Sequence, residues 1–567
     1  MKRPINLVYW VEDRPPLGVM LLSGLQHVVL VAIRLVLPVL VCREAGLSPE
    51  QVRDVVGFSM LLYGVATALQ ALPRGPLGAG FLCATGPSSI YLAPALLAAR
   101  RGGAPLVFGM TLVAGVIEGL FARGLPALRP FFPSEISGLV VMMVGFSLGG
   151  LGMRSVLGMG AAQGPQAANV MVGAMTLATM VGLTVWGKGA LRFLGPLIGM
   201  GLGYVAAAGA GLLTAADLKP LEGTPLIHFP GLGHVGWSFE GGMMAPFVVA
   251  AMASCLRSVG DITTCQKIND AEWTRPDMRS IGRGAVTNGL MTAAAGLLGT
   301  IGVNIATSNI GLSGATGVTS RRIAYATGGI FLILAFLPQG AALFAIVPQP
   351  VLGAVVLFSA SVVFVNGLQI VTSRMLDARR TFVIGLSVMV GIAVDLYPVF
   401  FRGLPAMIQP LTGSSLLLGT ITALLLNLVF RLGVRRTQML TVDPGRIDPK
   451  QIEGFLEAQG AAWGARREVI DRASFNLVQS IETIVEGWEG QGPLEIAASF
   501  DEFNLDVRVS YVGAPLELPE QRPSNEEIMA SEKGQRRLAG FMLRRYADRV
   551  HVSHKDGRST ILFHFDH

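Results

Sequence analysis

Arg257 and Asp261 stand four residues apart in a run of apolar and small side chains, so a helix places them on one face, with Ser254 and Ser258 close by. Ionisable residues inside such a run are costly and usually face a partner or a wet cavity. The pair suits the binding of a polar solute; a neutralising intrahelical pair near the end of the segment explains the same spacing. Three more ionisable side chains interrupt apolar runs. Arg34 lies too deep in its run for easy snorkelling. Glu118 suits helix-packing glue as well as function. His27, beside Gln26, fits substrate contact, proton carriage or plain packing. The four cysteines, Cys42, Cys83, Cys255 and Cys265, lie in or beside apolar runs without CxxC spacing. Buried thiols are expected, with neither a metal site nor a disulfide framework, and no cofactor.

Two runs are broken where polar and glycine residues cluster: Thr85-Gly86-Pro87-Ser88-Ser89, and Ser308-Asn309-Ile310-Gly311-Leu312-Ser313-Gly314. They fall in the third and tenth apolar runs, which are equivalent places if the chain is seven runs followed by seven. Unwound backbone is tolerated at membrane depth only where it is buried or lines a cavity, and matched breaks in two halves point to a transport site. Half-helix N-termini there offer free N–H groups to polar or anionic ligands. Glycine kinks between packed helices are the plainer alternative.

The elements that must hold these residues are membrane helices. In 567 residues, 51% are hydrophobic and 14% charged, and mean hydropathy is +0.55; globular chains carry about 25% charge. That balance does not suit a soluble protein and excludes a disordered polymer, and the absence of a Gly-X-Y period excludes collagen. The 71 glycines suit close helix approach in a bilayer. About fourteen apolar runs follow one another from Leu17 to Phe430, several short or broken. A net charge of +7 resides in short clusters between runs, so nucleic acid is not an expected partner. Lys267/Arg275/Arg279/Arg283, Arg321/Arg322 and Arg431/Arg435/Arg436 fall on one side, which predicts both termini in the cytoplasm of a multi-pass inner-membrane protein. No signal-peptide cleavage site follows Lys2, Arg3 and Arg14. After Arg436 the composition turns polar. Residues 437–567 are expected as a cytoplasmic α+β domain, separate from the transporter domain of residues 1–436, with helices at Ser474–Gly487 and Gly534–Tyr546 and strands at 494–498, 506–511, 549–553 and 560–565.

Four stretches together resemble the nucleobase-cation symporter family of xanthine and uracil permeases and nucleobase-ascorbate transporters: Asp13-Arg14-Pro15-Pro16 ahead of Gln26-His27; Phe132-Pro133 to Gly138 and Gly145; Trp273-Thr274-Arg275-Pro276-Asp277-Met278 into Arg283-Gly284; and Ser308-Asn309-Ile310-Gly311 with Thr316-Gly317. The likeness covers about residues 10–435. It implies an all-α polytopic fold of fourteen segments in two inverted seven-segment repeats, divided into core and gate domains, commonly a homodimer. It also implies a site between the broken third and tenth segments and the eighth. The family usually holds the base with a carboxylate on the eighth segment and a Gln or Glu opening the signature; here those places carry Arg257 and Ser308, while Asp261, Asn309 and Thr316 keep the pattern. A guanidinium only donates hydrogen bonds and stays charged. The departure therefore favours an acceptor-rich or anionic solute, and leaves Asp261 either to carry the coupling proton or merely to neutralise Arg257. Candidate substrate residues are Arg257, Asp261, Ser308, Asn309, Gly311, Ser88, Ser89 and His27; candidate coupling or gating residues are Asp261, Thr316, Glu118 and Arg34.

Residues 465–567 resemble the ATP-binding fold of histidine kinases and anti-sigma factors. The family's magnesium-binding Asn aligns near Glu486 and its Asp-x-Gly is Tyr511-Val512-Gly513, so the resemblance implies a degenerate regulatory or dimerisation module; a soluble tail that stabilises the protein fits the same pattern. The expectation overall is a secondary transporter of a nucleobase-like solute, coupled to protons or sodium. The alternatives are a carrier of another anion through Arg257, or a sensor signalling to a cytoplasmic partner. No GxxxxGK[ST] loop supports an ATP-driven enzyme.

Overall fold

The chain is seen in a computed structural model, which describes residues 1–128, 134–159, 167–214, 225, 227–231, 236–273, 276–372, 376, 378–405, 412, 415–430, 437–445, 448–485, 492–500 and 504–566. Phe132, Pro133, Thr274, Arg275, Arg431, Arg435, Arg436 and Glu486 lie outside the described residues. Two compact units emerge: residues 1–369 with 387–422, and residues 370–386 with 423–567.

In the first unit, α1 (Leu17–Ala32) passes through a 3₁₀ turn at Ile33–Leu35 into α2 (Val36–Glu44). Then α3 (Pro49–Gln70) begins on a Ser48–Gln51 capping box. The extended β1 (Thr85–Pro87) follows, and after a 3₁₀ turn at Ser89–Tyr91 comes α4 (Leu92–Leu128). It bends at Gly102 and Gly103, the latter at φ +66°, where the third apolar run joins the fourth. Next come α5 (Ser134–Val156), α6 (Ala167–Trp186), α7 (Ala190–Gly209), α8 (Met244–Asn269) and α9 (Met278–Leu298). The second extended piece, β2 (Val303–Ile305), leads into α10 (Thr307–Thr316). After it run α11 (Arg321–Ala335), α12 (Pro338–Ala345), α13 (Gln349–Thr372), α14 (Ala378–Leu396), the short α15 (Pro398–Arg402) and α16 (Ser415–Phe430), of which the end of α13, the start of α14 and the end of α16 belong to the second unit. Every expected apolar run thus carries helix. Seven described spans are long and apolar enough to cross a membrane alone, and the bent pair α11–α12 makes an eighth. The rest are short or broken.

The third run breaks where expected, but the tenth does not. Ser308–Gly314 is helical, part of α10; the unwound piece precedes it, from Gly299 at φ +80° through β2 to Ala306. Gly311 does not interrupt α10, because it faces open space and needs no special backbone angle.

Helix packing around the breaks is close. A Cβ on Gly115 of α4 would run into the Ala293 backbone of α9, and one on Gly289 or Gly296 of α9 into the backbone of Gly119 or Leu112. On the other side of the sequence, Gly145 of α5 and Gly367 of α13 face Phe364 and Met142 in the same way. Behind the breaks, Phe81, Cys255, Ile262, Ile281, Ile305 and Ile310 form a buried apolar cluster. All four cysteines are buried and unbridged, with the Cys83 and Cys265 sulfurs in contact at 3.5 Å.

The N-terminal residues are laced to the ends of the later helices. Trp10 Nε1 donates to Asn269 O at 2.8 Å, the Ser320 hydroxyl donates to Asp13 O at 2.7 Å, and Arg321 pairs with Glu12 at 2.6 Å. Asp13, from the Asp-Arg-Pro-Pro stretch, also accepts from Trp10 N.

In the second unit, β3 (Thr437–Val442), β4 (Leu494–Phe500), β5 (Asn504–Val512), β6 (Arg549–Lys555) and β7 (Arg558–Asp566) form one antiparallel sheet in the order β3-β4-β5-β7-β6. Its alternate residues, among them Ile496, Val507, Phe563 and Phe565, are buried with Ile470 and Leu477 of the helices that cover them. Those helices are α17 (Pro449–Trp463), α18 (Arg467–Val485), the short α19 (Asn525–Ala530) and α20 (Glu532–Tyr546). The expected order of helix, two strands, helix and two strands is present; β3, α17 and α19 are additional. Tyr511, at the Asp-x-Gly position, spends its hydroxyl on its own loop, donating to Ala514 O and accepting from Leu516 N, each at 3.0 Å.

Candidate functional site

The two breaks meet. β1 and β2 pair antiparallel, Thr85 against Ile305 and Pro87 against Val303, and the ladder extends through Ser88 N to Gly302 O (2.9 Å) and Ala306 N to Ala84 O (2.8 Å). A short antiparallel ribbon satisfies backbone groups that could find no water at this depth. Because the strands run opposite ways, the helix that follows each one starts from the opposite end of the ribbon. Both starts lack a side-chain cap: neither Ser88 nor Ala306 provides one. Asn309 N bonds back to Ala306 O at 2.9 Å, while the first N–H groups of each half-helix have no side-chain cap, in a field equivalent to about half a positive charge at each end.

A guanidinium stands at each of these ends. Arg34, in the 3₁₀ turn after α1, donates to Pro87 O at 2.6 Å, one residue before the first helix start. Arg257 of α8 donates through Nη2 to Thr307 Oγ1 at 2.9 Å, and Thr307 opens α10. The Thr307 hydroxyl in turn donates to Asp261 Oδ1 at 2.8 Å, and Asp261 Oδ2 lies 3.6 Å from Arg257 Nε. So α8 presents its ion pair sideways to α10 through a threonine. Arg257 is 9% exposed and Asp261 5%. Four polar atoms here are buried without a hydrogen-bond partner: Arg257 Nη1, Asp261 Oδ2, Ser88 Oγ and Ser89 Oγ. Unpaired groups of this kind cost about 1–3 kcal/mol each, so a cluster of them marks a place where a polar ligand restores what the protein lacks.

Two further contacts frame the ribbon. Asn309 donates from one amide nitrogen to His27 O and to His27 Nδ1, both at 3.0 Å, fixing α10 to α1. Glu118 of α4 accepts from the Tyr91 hydroxyl at 2.7 Å and the Ser254 hydroxyl at 2.8 Å. Ser254 Oγ also accepts from Asn304 of β2 at 2.7 Å, and Asn304 Oδ1 accepts from Asn288 at 3.1 Å. The hydroxyls of Tyr91 and Ser254 thus occupy one oxygen each of Glu118.

The structure therefore brings together Arg34, Ser88, Ser89, Arg257 and Asp261 around the ribbon, with His27, Asn309 and Glu118 bracing it. Three expected site residues take no part in these contacts. Ser308 is exposed and, among the described residues, its hydroxyl meets Asn309 Oδ1 alone, at 3.4 Å. Gly311 lies on the same open face of α10. The Thr316 hydroxyl donates to Leu312 O of its own helix. Thr307, Tyr91 and Asn304 went unforeseen; Asn304, an amide within the apolar stretch Ile301–Ile305, was the one visible signal.

A membrane-embedded, broken-helix permease is the class these features define: an integral membrane protein whose polar centre sits at a ribbon between two half-helices. The chain belongs to the Permease family, whose xanthine/uracil permease model matches residues 18–400. It is similar to the xanthine permease XanP of Escherichia coli (strain K12), with 28% identity over 440 residues, 75% of this chain and 95% of that one. A putative purine permease, CPE0397 of Clostridium perfringens, is 28% identical over 75% of this chain and 94% of its own. The nucleobase transporter PlUacP of Paenibacillus larvae is 27% identical over 73% and 95%. Among solved structures, murine Slc26a9, an anion transporter in an inward-facing state, aligns with 78% of this chain and 73% of that one at 10% identity and a TM-score of 0.49.

Proposed function

We propose that the protein is a secondary transporter that carries a nucleobase of the xanthine and uracil class across the cytoplasmic membrane by alternating access. The observation that carries this reading is the β1–β2 ribbon, with two uncapped half-helices and four unpartnered polar atoms around it. Such a centre has no use in a bundle that only spans a membrane, and the relatives named as xanthine permeases and nucleobase transporters supply the solute class. In this reading both termini face the cytoplasm, the working unit is a homodimer, and a proton or sodium gradient drives accumulation. Residues 437–567 form a regulatory domain. Arg257, Asp261, Ser88 and Ser89 contact the base.

Uptake of radiolabelled xanthine and uracil into proteoliposomes, with and without a proton or sodium gradient, tests the assignment. Accumulation above the equilibrium level is expected. Asn309→Ala removes both bonds to His27, each worth about 0.5–1.5 kcal/mol, and should lower the rate on the order of tenfold. Binding of a base without flux in any gradient would exclude transport.

A further inference from the structure

Charge at the ribbon is unbalanced, and the imbalance says which form of a base the site takes. Each half-helix start is a positive pole, and each has a guanidinium beside it, Arg34 at Pro87 and Arg257 at Thr307. Cations belong at helix C-termini; at an N-terminus they add to the dipole instead of offsetting it. Arg34, Arg257 and Asp261 lie within electrostatic reach of one another. Against two guanidiniums and two dipole ends, Asp261 is, among the described residues, the one carboxylate ion-paired here, with Arg257. Glu118, the other carboxylate of this region, has both oxygens taken by the hydroxyls of Tyr91 and Ser254.

The unpartnered atoms agree with the charge. Arg257 Nη1 is a donor with no acceptor, and the hydroxyls of Ser88 and Ser89, both fully buried, can donate. Asp261 Oδ2, 3.6 Å from Arg257 Nε, is the atom of the set that only accepts. A neutral base would set ring N–H donors against a guanidinium that can only donate. A deprotonated base, with a negative ring nitrogen flanked by carbonyl oxygens, presents acceptors to Arg257 and the two serines and keeps one N–H for Asp261.

We infer that the substrate is bound as an anion: an oxopurine or comparable base that has lost a ring proton, of which urate is the simplest example, with Arg257 and Arg34 as the residues that select charge. This rests on the nucleobase reading above and narrows it. Arg257 makes the direct contact; Arg34, already bonded to Pro87 O, contributes field.

The test is thermal stabilisation of the purified full-length protein by three bases: urate, an anion at neutral pH; xanthine, whose ring N–H ionises near neutrality; and uracil, neutral there. Urate should stabilise the protein and uracil should not. For xanthine, apparent affinity should rise by about tenfold per pH unit until the free base is fully ionised, because binding one anion from a neutral pool releases one proton. Arg257→Gln should abolish stabilisation by urate and flatten the xanthine pH profile, while Arg257→Lys, which keeps the charge, should retain part of both. If Arg257→Gln does not fold, the wild-type pH series and the urate-to-uracil contrast decide alone. Uracil binding as tightly as urate, with no pH dependence for xanthine, would overturn the anion inference and leave nucleobase transport standing. Stabilisation by none of the three would remove the nucleobase reading itself.

Discussion

Removing the charge of Asp261 leaves Arg257 buried beside Thr307 with no counter-ion, and losing one member of a buried pair costs about 3–5 kcal/mol. Asp261→Asn should therefore lower the thermal transition of the detergent-solubilised protein clearly. Arg257→Gln/Asp261→Asn should lose less than the sum of the two single changes, because the double variant buries no lone charge. Additivity in that cycle would mean that the 3.6 Å pair contributes no coupling. Legibility in the sequence followed the same physics. Arg257, Asp261, Arg34 and Glu118 stand out because an ionised group in an apolar run needs a reason. Thr307 and Tyr91 do not, because hydroxyl residues are common in membrane helices and only geometry reveals that one relays between α8 and α10 and the other holds a carboxylate.

At the scale of elements, the network beside the ribbon runs from Glu118 of α4 through Ser254 and Asn304 to Asn288 of α9, so it depends on α4 and α9 lying close. Gly115, Gly289 and Gly296 set that distance by leaving the facing backbone no neighbour to avoid. Gly115→Val should force the helices apart at a cost of about 1–3 kcal/mol, the usual price of overpacking. The same change should weaken base binding, read as a lower transition and a smaller ligand-induced shift. An unchanged shift would separate ribbon geometry from helix spacing. The first break was legible because Gly86-Pro87-Ser88 cannot continue a helix and its polar residues announce it. The second was set too far along the chain. Ser308–Gly314 has the polar, glycine-rich composition of a break, yet its glycines occupy helix positions without strain, whereas the true break, Gly299–Ala306, is rich in β-branched residues, with Asn304 its one amide, and reads as the tail of the preceding helix. Composition marks where the chain can unwind; which stretch does so is decided by the partner strand it finds.

For the whole molecule, composition was enough to foresee many membrane helices and an α+β unit after them, since apolar run length and strand alternation are local properties. How the later unit holds the chain that enters it was not local and was not legible. Within that unit, Arg379 Nη2 donates to Ala462 O at 2.9 Å and Arg380 Nη1 to Ala461 O at 2.8 Å, so the start of α14 grips the C-terminal end of α17. Cations suit this negative pole. The grip needs Gly464, which ends α17 at φ +73° and packs so closely under Arg380 that a Cβ would collide with the guanidinium. Trp463, stacked on Phe500 with ring centroids 5.9 Å apart, ties the same turn to β4. Gly464→Ala should therefore act twice: left-handed strain of roughly 1–2 kcal/mol, and displacement of Arg380 from Ala461. Hydrogen exchange in the full-length protein should speed up across the last turn of α17 and the first turn of α14 together. Arg380→Gln should loosen the same two turns without the backbone strain, and so by less. Faster exchange in α17 alone after Gly464→Ala would assign the glycine to helix termination and take the arginine grip out of the account.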